Sequence, residues 1–296
     1  MNKAQTVSII LPAKNESAGL AKTLPKLRAL YPDAQILVID DGSTDDTVAV
    51  CKREGAEVLS HRYSMGNGAA IKTGARVATG NTLVFMDADG QHRPEQIEKL
   101  LEALQEGYEM AVGARDRDGQ ASPARRIANG FYNRFGSWMV DHHIDDLTSG
   151  FRVVNAERFR EFLYLLPNGF SYPTTISMAF FRSGYPIKYV PVTVDRRIGQ
   201  SHIRIVRDGI RFLLIIFRVA TLYSPLKLFF PVSFAFFSTG LAYYLYTYLS
   251  VGRFTNMSAL LFINSVVIFL IGLVSEQITM LIFKNRVRSA DLRTND

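Results

Sequence analysis

Short apolar runs recur along the first two thirds of the chain: Val7–Leu11, Ile36–Ile39, Val58–Leu59, Leu83–Met86, Met110–Val112 and Tyr189–Val194. Runs of this length bounded by polar residues predict buried strands. Between several of them the spacing becomes helical. Ile97, Leu100, Leu101 and Leu104 share one helix face, and Pro94 is placed to open its first turn. Thr44, Asp45 and Asp46 are N-cap candidates for a helix carrying Val48 and Val50. Strands and helices in alternation predict an α/β fold, with a mostly parallel sheet covered on both faces.

The last third follows a different pattern. Lys227 and Arg253 enclose 25 uncharged residues, and Arg253 and Glu276 enclose 22 more. At about 1.5 Å per residue either span can cross a hydrocarbon core of roughly 30 Å. A transmembrane hairpin is therefore expected, with helices over 226–249 and 257–283. Tyr243, Tyr244, Tyr246 and Tyr248 would fall near one interface. Glu276 inside the second span would pair locally, reach the interface or serve function.

Charge sharpens this division. Net charge is +7, yet residues 1–203 hold 24 Lys and Arg against 23 Asp and Glu, so +6 belongs to residues 204–296. Basic residues flank the apolar spans, and the connecting loop carries only Arg253. By the positive-inside rule both ends of the hairpin are expected in the cytoplasm. The near-neutral first part argues against nucleic-acid binding. One cysteine, Cys51, excludes a disulfide scaffold. Arg204, Arg207, Arg211 and Arg218 share one helical face beside Phe212, Leu213, Ile215, Ile216 and Val219, a pattern suited to an interfacial amphipathic helix. The organisation expected is a soluble domain over 1–203, a juxtamembrane helix over 204–224, a hairpin over 225–283 and a basic tail over 284–296.

In open α/β sheets ligands bind beyond the carboxyl ends of the strands, and here those ends are acidic. The first ends in Pro12-Ala13-Lys14-Asn15-Glu16, the second in Asp40-Asp41-Gly42-Ser43, and Met86 leads into Asp87-Ala88-Asp89-Gly90-Gln91. Such acids suit a hard divalent cation, and those of the first two strands suit hydrogen bonds to a base and ribose. Asp40–Asp46 reads equally as a capped turn. A second D-x-D, Asp116-Arg117-Asp118, lies in a stretch rich in Arg and Gly and reads as a loop. The glycines of Met65-Gly66-Asn67-Gly68 precede a helix, as a phosphate cradle or a simple turn would. No P-loop and no G-x-G-x-x-G is present.

Taken in order, Pro12–Glu16, Val38–Thr47, Gly66–Gly74, Met86–His92, Gly113–Arg115, Asp146–Arg152 and Arg196–His202, followed by the hairpin, resemble family 2 glycosyltransferases of the GT-A fold. Within them the resemblance is to polyprenyl-phosphate glycosyltransferases related to dolichol-phosphate mannosyltransferase. It implies a nucleotide-sugar site formed by Pro12, Ala13, Asn15, Glu16, Asp40, Asp41, Gly68, Asp87, Ala88, Arg196 and His202. It implies Mg²⁺ or Mn²⁺ on Asp87, Asp89 and Gln91, and a lipid-phosphate site at Arg115, Arg125 and Arg126. Asp89, Arg115, Arg126 and Asp146 are the expected catalytic residues. The donor would be a UDP- or GDP-sugar, the acceptor polyprenyl phosphate, and the site a cytoplasmic membrane face. Relatives often form homo-oligomers. Two departures stand out: Asn67 where many relatives have Lys, and His202 where a Lys usually closes the R-x-x-G-x-S-K pattern.

The implied chemistry needs little base. A phosphate monoester is already anionic at neutral pH, so a single inverting displacement asks for in-line positioning, arginines and charge neutralisation at the leaving diphosphate. Asp146 would then position sugar hydroxyls or shape the site. A processive polysaccharide synthase is disfavoured because Q-x-x-R-W is missing: Phe135-Gly136-Ser137 precedes the only tryptophan, Trp138. A catalytically silent scaffold is disfavoured by the intact acidic cluster.

Overall fold

A computed structural model describes residues 5–115, 123–169, 171–195, 217 and 221–291; of 123–129 and 282–291 it describes the backbone alone. The chain divides into two compact units, Met1–Ile205 and Val206–Asp296.

The first unit is built on β1 (Val7–Ala13), α1 (Ser17–Leu30), β2 (Gln35–Asp40), α2 (Thr47–Arg53), β3 (Glu57–Ser60), α3 (Asn67–Val77) and β4 (Thr82–Phe85). It continues with a 3₁₀ turn at Pro94–Gln96, α4 (Ile97–Gln105), β5 (Met110–Arg115), α5 (Pro123–Val140), β6 (Arg152–Asn155), α6 (Ala156–Glu161), α7 (Tyr172–Arg182) and β7 (Ile187–Val192). The seven strands form one sheet in the order β3-β2-β1-β4-β6-β5-β7. Helices cover both faces, so Ile9, Ile10 and Leu11 of β1 are all fully buried. The predicted face of α4 is inward: Ile97 and Leu100 are fully buried, Leu101 nearly so, and Leu104 packs against the same core.

Two details lie beyond the sequence pattern. Asp46 sits at the N-cap of α2 without a side-chain cap bond; Asp45 accepts the Thr47 N–H instead, at 3.1 Å, and also the Ser17 N–H at 3.2 Å, joining α2 to α1. The second concerns β6, which the apolar pattern does not reveal. Only Val153 and Val154 are apolar in this four-residue strand. It runs antiparallel to both β4 and β5, with Arg152 opposite Phe85 and Val112. All other pairings are parallel. The end of β6 that begins the strand therefore shares an edge with the carboxyl ends of β1, β2, β4 and β5.

The second unit contains α8 (Pro225–Val251) and α9 (Asn256–Asp291). Pro225–Val251 and Asn256–Leu281 are each long and apolar enough to cross a membrane. The pair is held by polar rungs and small residues, as membrane helices are. Ser233 Oγ donates to the Ser265 carbonyl and Ser265 Oγ to the Ser233 carbonyl, each at 2.9 Å. Gly240 lies against Leu261, and Gly272 against Phe229. Glu276 has a local role: its carboxylate accepts the Leu226 N–H at 3.3 Å, satisfying one of the free donors in the first turn of α8.

Candidate active site

The carboxyl ends of β1 and β2 are laced into one surface. Asn15 takes a left-handed backbone, φ 56°, a conformation asparagine tolerates better than most residues. Its N–H donates to Ser43 Oγ and its Oδ1 accepts the Thr44 N–H, both at 2.8 Å. The Glu16 N–H donates to Thr47 Oγ1 at 3.0 Å. Ala13, the last residue of β1, accepts the Asp41 N–H through its carbonyl at 2.8 Å, beside Pro12. Asp40, nearly fully buried, accepts the Ser43 N–H at 2.9 Å, so its part in the turn is local.

Asp41, expected at the nucleoside, is held by the loop that follows β3. Both carboxylate oxygens already accept two donors: Oδ1 meets His61 Nδ1 at 2.8 Å and the Met65 N–H at 2.7 Å, and Oδ2 meets Ser64 Oγ at 2.7 Å and the Gly66 N–H at 2.8 Å. Burial raises its carboxyl pKa, but the bonds from His61, Met65, Ser64 and Gly66 outweigh burial and hold it below the ordinary value. His61 is anchored on its far side by Thr73 Oγ1 at 3.0 Å. Asp41 thus shapes the 61–66 loop beside the β2 edge.

The glycines before α3 answer to packing rather than to an open cradle. A side chain on Gly68 would meet the Pro167 carbonyl at 2.1 Å, and one on Gly66 the Asn168 carbonyl at 2.4 Å. The Asn168 carbonyl also accepts the Ala69 N–H at 3.1 Å, and the Leu166 carbonyl accepts from Lys72 Nζ at 3.0 Å. The 166–169 segment therefore straps the first turns of α3.

The acidic turn after β4 is held from two sides. Gly19 of α1 has no Cβ because the Ala88 carbonyl would lie 2.2 Å from it. Gly150 leaves room for Asp87, whose two oxygens would both stand 3.1 Å from a Cβ there. The Asp87 side chain is 40% exposed, whereas Asp89 is largely buried and its Oδ1 accepts the Gln91 N–H at 3.1 Å. His92 stacks on Phe151 and approaches Asp87 Oδ2 with Nε2 at 3.4 Å. Gln91 is bound to Asp195: its carbonyl accepts the Asp195 N–H at 2.8 Å, and its Nε2 donates to the Asp195 carbonyl at 3.3 Å.

Across β6, Arg115 at the end of β5 faces Asp146. Arg115 Nε meets Asp146 Oδ2 at 2.7 Å and Nη2 meets Oδ1 at 3.0 Å, while Nη2 also donates to Thr148 Oγ1 at 2.7 Å. The Thr148 N–H and hydroxyl both donate to Asp146 Oδ1 at 3.0 Å. Burial raises the Asp146 pKa, but Arg115 and Thr148 more than reverse it, so the group is held ionised below the usual carboxylate range. Asp146 accordingly faces an arginine and the following turn.

Arg152, which closes the Asp146–Arg152 motif, has a structural task. It is fully buried, and among the described residues no carboxylate pairs with it. It donates to the carbonyls of Ser149 and, at 3.2 Å, Pro173, and to Ser177 Oγ at 3.3 Å; its Nε has no partner. It thereby ties the Asp146–Gly150 turn to α7, and that turn touches both Asp87 and Arg115. A charged residue opening a buried apolar pair was the available signal. His61 gave none, since its partner lies 20 residues away in sequence.

The side chains of Arg125 and Arg126, whose backbone opens α5, lie outside the described residues. So do Arg196 and His202, the second D-x-D at 116–118 and residues 204–216.

Residues 8–163 match Glycosyl transferase family 2, more than half of the chain. The chain belongs to that family. It is a glycosyltransferase, and residues 224–281 match the GtrB C-terminal hairpin. Among its relatives, glycosyltransferase AglJ of Haloferax volcanii is 31% identical over 83% of this chain and 82% of its own. An undecaprenyl-phosphate mannosyltransferase of Micrococcus luteus is 31% identical over 66% of this chain and 86% of its own. A polyprenol monophosphomannose synthase of Mycolicibacterium smegmatis is 28% identical over 67% and 80% respectively. In three dimensions, glucosyl-3-phosphoglycerate synthase of Mycobacterium tuberculosis, solved with Mn²⁺ and UDP-glucose, gives a TM-score of 0.59 at 22% identity, covering 72% of this chain and 79% of that one. The glycosyltransferase therefore has the GT-A fold, with a mostly parallel sheet and a C-terminal hairpin.

The acidic turn of this family 2 enzyme has the chemistry of a hard-cation site. Asp87 and Asp89 are oxygen donors, and Gly150 keeps a side chain away from the Asp87 carboxylate. Among the described residues no group of three His, Cys, Asp or Glu forms a closed cage. Two carboxylates fit a cation that completes its shell with phosphate oxygens and water.

Proposed function

We propose that this glycosyltransferase moves one sugar from a UDP- or GDP-sugar to polyprenyl phosphate at the cytoplasmic face of the cell membrane, inverting the anomeric centre. The observation that carries the reading is the pairing of opposite charges along one sheet edge, with the Asp87–Asp89 turn on one side of β6 and Arg115 on the other. The donor would bind over the acidic turn and the β1–β2 surface, and the anionic acceptor on the arginine side. The names of the Micrococcus and Mycolicibacterium relatives, and the hairpin, support an acceptor that resides in lipid.

In this reading Asp87 and Asp89, with Gln91, hold Mg²⁺ or Mn²⁺. When bound, the cation offsets the charge that develops on the leaving diphosphate. Arg115, fixed in rotamer by Asp146 and Thr148, presents its guanidinium to a phosphate oxygen of the acceptor, joined by Arg125 and Arg126. The acceptor phosphate is itself the nucleophile, so the turn needs no free carboxylate as base. That agrees with an Asp146 already occupied by Arg115. Arg196 and His202 would grip the donor phosphates. Residues 1–203 are the catalytic domain in this scheme, 204–224 its juxtamembrane helix, and 225–283 its anchor.

The test is transfer from radiolabelled UDP- and GDP-sugars to undecaprenyl phosphate by the full chain in vesicles, with Mn²⁺, with Mg²⁺ and with chelator. A lipid-extractable monosaccharide product, formed only with the cation and lost in Asp89→Ala, is expected. Full transfer by Asp89→Ala, or transfer only to soluble acceptors, rejects the proposal.

A further inference from the structure

The chain leaving β7, the last strand of the sheet, returns to the acidic turn and lies antiparallel to it. Gln91 grips one residue twice: its carbonyl accepts the Asp195 N–H at 2.8 Å, and its Nε2 donates to the Asp195 carbonyl at 3.3 Å. Further along the turn, Arg93 places Nε at 2.9 Å and Nη2 at 2.6 Å from Asp195 Oδ1. Beyond that, the Gln96 amide meets Thr193 Oγ1 at 2.8 Å. Lys22 of α1 reaches the other carboxylate oxygen, Oδ2, at 3.6 Å. Lys22 stands one turn after Gly19, which seats the Ala88 carbonyl, so one face of α1 backs both halves of this clasp.

The bond to Asp195 fixes the orientation of the Gln91 amide. A carbonyl accepts and cannot donate, so it selects the NH₂ group, and the amide oxygen lies on the other arm. That oxygen is the only atom of the side chain a hard cation takes. A glutamine free to rotate would offer either arm. Asp195 brings main chain to this bond, and its carboxylate, bridged to Arg93 and Lys22, fixes where that main chain stands.

We propose that Asp195 is a positioning residue for the cation, holding the oxygen of Gln91 in place and acting through that amide rather than on the ion itself. The inference rests on the reading that Asp87, Asp89 and Gln91 hold Mg²⁺ or Mn²⁺, and it gives that site a support from the far edge of the sheet. Outer partners that orient a ligand set metal affinity by roughly 10–100-fold. The Asp195 side chain is 33% exposed and that of Arg93 50%, and ion pairs so open to solvent add little to folding. Removing them should leave the fold standing and show at the ligand.

The full chain in phosphatidylcholine nanodiscs is titrated with Mn²⁺ alone, the free ion being read from its solution EPR spectrum, and a thermal midpoint is recorded for every variant. Asp195→Ala and Arg93→Met are each expected to raise the Mn²⁺ Kd about tenfold. Lys26→Met, which breaks the neighbouring pair with Glu95, should leave it unchanged. In a Gln91→Ala chain, which lacks the amide, Asp195→Ala should weaken binding no further, because the two residues act as one unit. An Asp195→Ala chain with a lowered midpoint and the original Kd overturns the proposal, since the clasp then serves folding alone. A full additional loss in the Gln91→Ala background overturns it too. Asp89→Ala separates this role from the reading beneath it. If that variant binds as the original does, or the original binds no Mn²⁺, the cation site itself falls and the role of Asp195 with it. Binding lost in Asp89→Ala but unchanged in Asp195→Ala removes only the role given to Asp195.

Discussion

Arg115 and Asp146 meet along two parallel hydrogen bonds, Nε to Oδ2 at 2.7 Å and Nη2 to Oδ1 at 3.0 Å, with Asp146 the more buried partner. The pair fixes the direction of the guanidinium more tightly than its attraction alone would. Asp146→Asn is expected to raise the acceptor KM by about tenfold while leaving the donor KM near its original value, a loss of roughly 1.4 kcal/mol. Steady-state kinetics with each substrate varied in turn checks this; an equal rise in both constants would reject the assignment.

The same pair sets a pH dependence. Asp146 is held below its ordinary value of 3.8, so it stabilises the fold fully above about pH 5 and less as pH falls through its folded value. Asn lacks that titration. The difference in thermal midpoint between the original chain and Asp146→Asn should be flat above about pH 5 and shrink below about pH 4. Scanning calorimetry in nanodiscs gives the curve.

Replacing Arg152 separates its clamp from its bulk. Arg152→Leu removes every donor to Ser149, Pro173 and Ser177, whereas Arg152→Lys keeps the charge but loses the fork. Leu is expected to cost about 3 kcal/mol. Lys is expected to fold yet require more Mn²⁺ for half-maximal transfer, because the Gly150 shelf beside Asp87 is no longer fixed. A Lys variant with an unchanged Mn²⁺ requirement would mean that the clamp serves folding alone.

Asp87 and Asp89 differ in exposure, and their amides should differ in consequence. Asp87→Asn, at the more open carboxylate, is expected to be partly rescued by raising the Mn²⁺ concentration. Asp89→Asn is not, since its one remaining oxygen is the acceptor of the Gln91 N–H, which leaves only an NH₂ group for the cation. Cation titration of transfer distinguishes the two.

Cys51 is fully buried, and burial, with Asp40 nearby, pushes its thiol up to about 11. The native protein should resist alkylation at pH 8 and take up one label per chain after denaturation, read by mass spectrometry. Rapid labelling of the folded chain would contradict the packing of α2.

Much of this architecture was legible in the sequence because parallel strands, buried on both faces, leave continuous apolar runs such as Leu83–Met86. β6 escaped notice because two valines between Arg152 and Asn155 are too few to register as a run. At the site, the acids at the strand ends stood out by position, but their partners did not. Nothing in the spacing of Asp41 and His61, or of Arg115 and Asp146, says that the folded chain closes those contacts, which join residues 20 and 31 positions apart. The glycines before α3 stayed open between a phosphate cradle and a turn. A glycine needed for a ligand and one needed for a neighbouring carbonyl look alike until the 166–169 segment is seen to lie across α3.

The reversed strand has one further consequence. Because β6 enters the sheet between two strands that run the other way, the acidic turn after β4 and Arg115 at the end of β5 stand on two banks with a narrow spit between them. In the proposed reaction, an architecture of this kind would let one donor-binding bank be paired with a different recipient, while Arg152 keeps the spit between them in place.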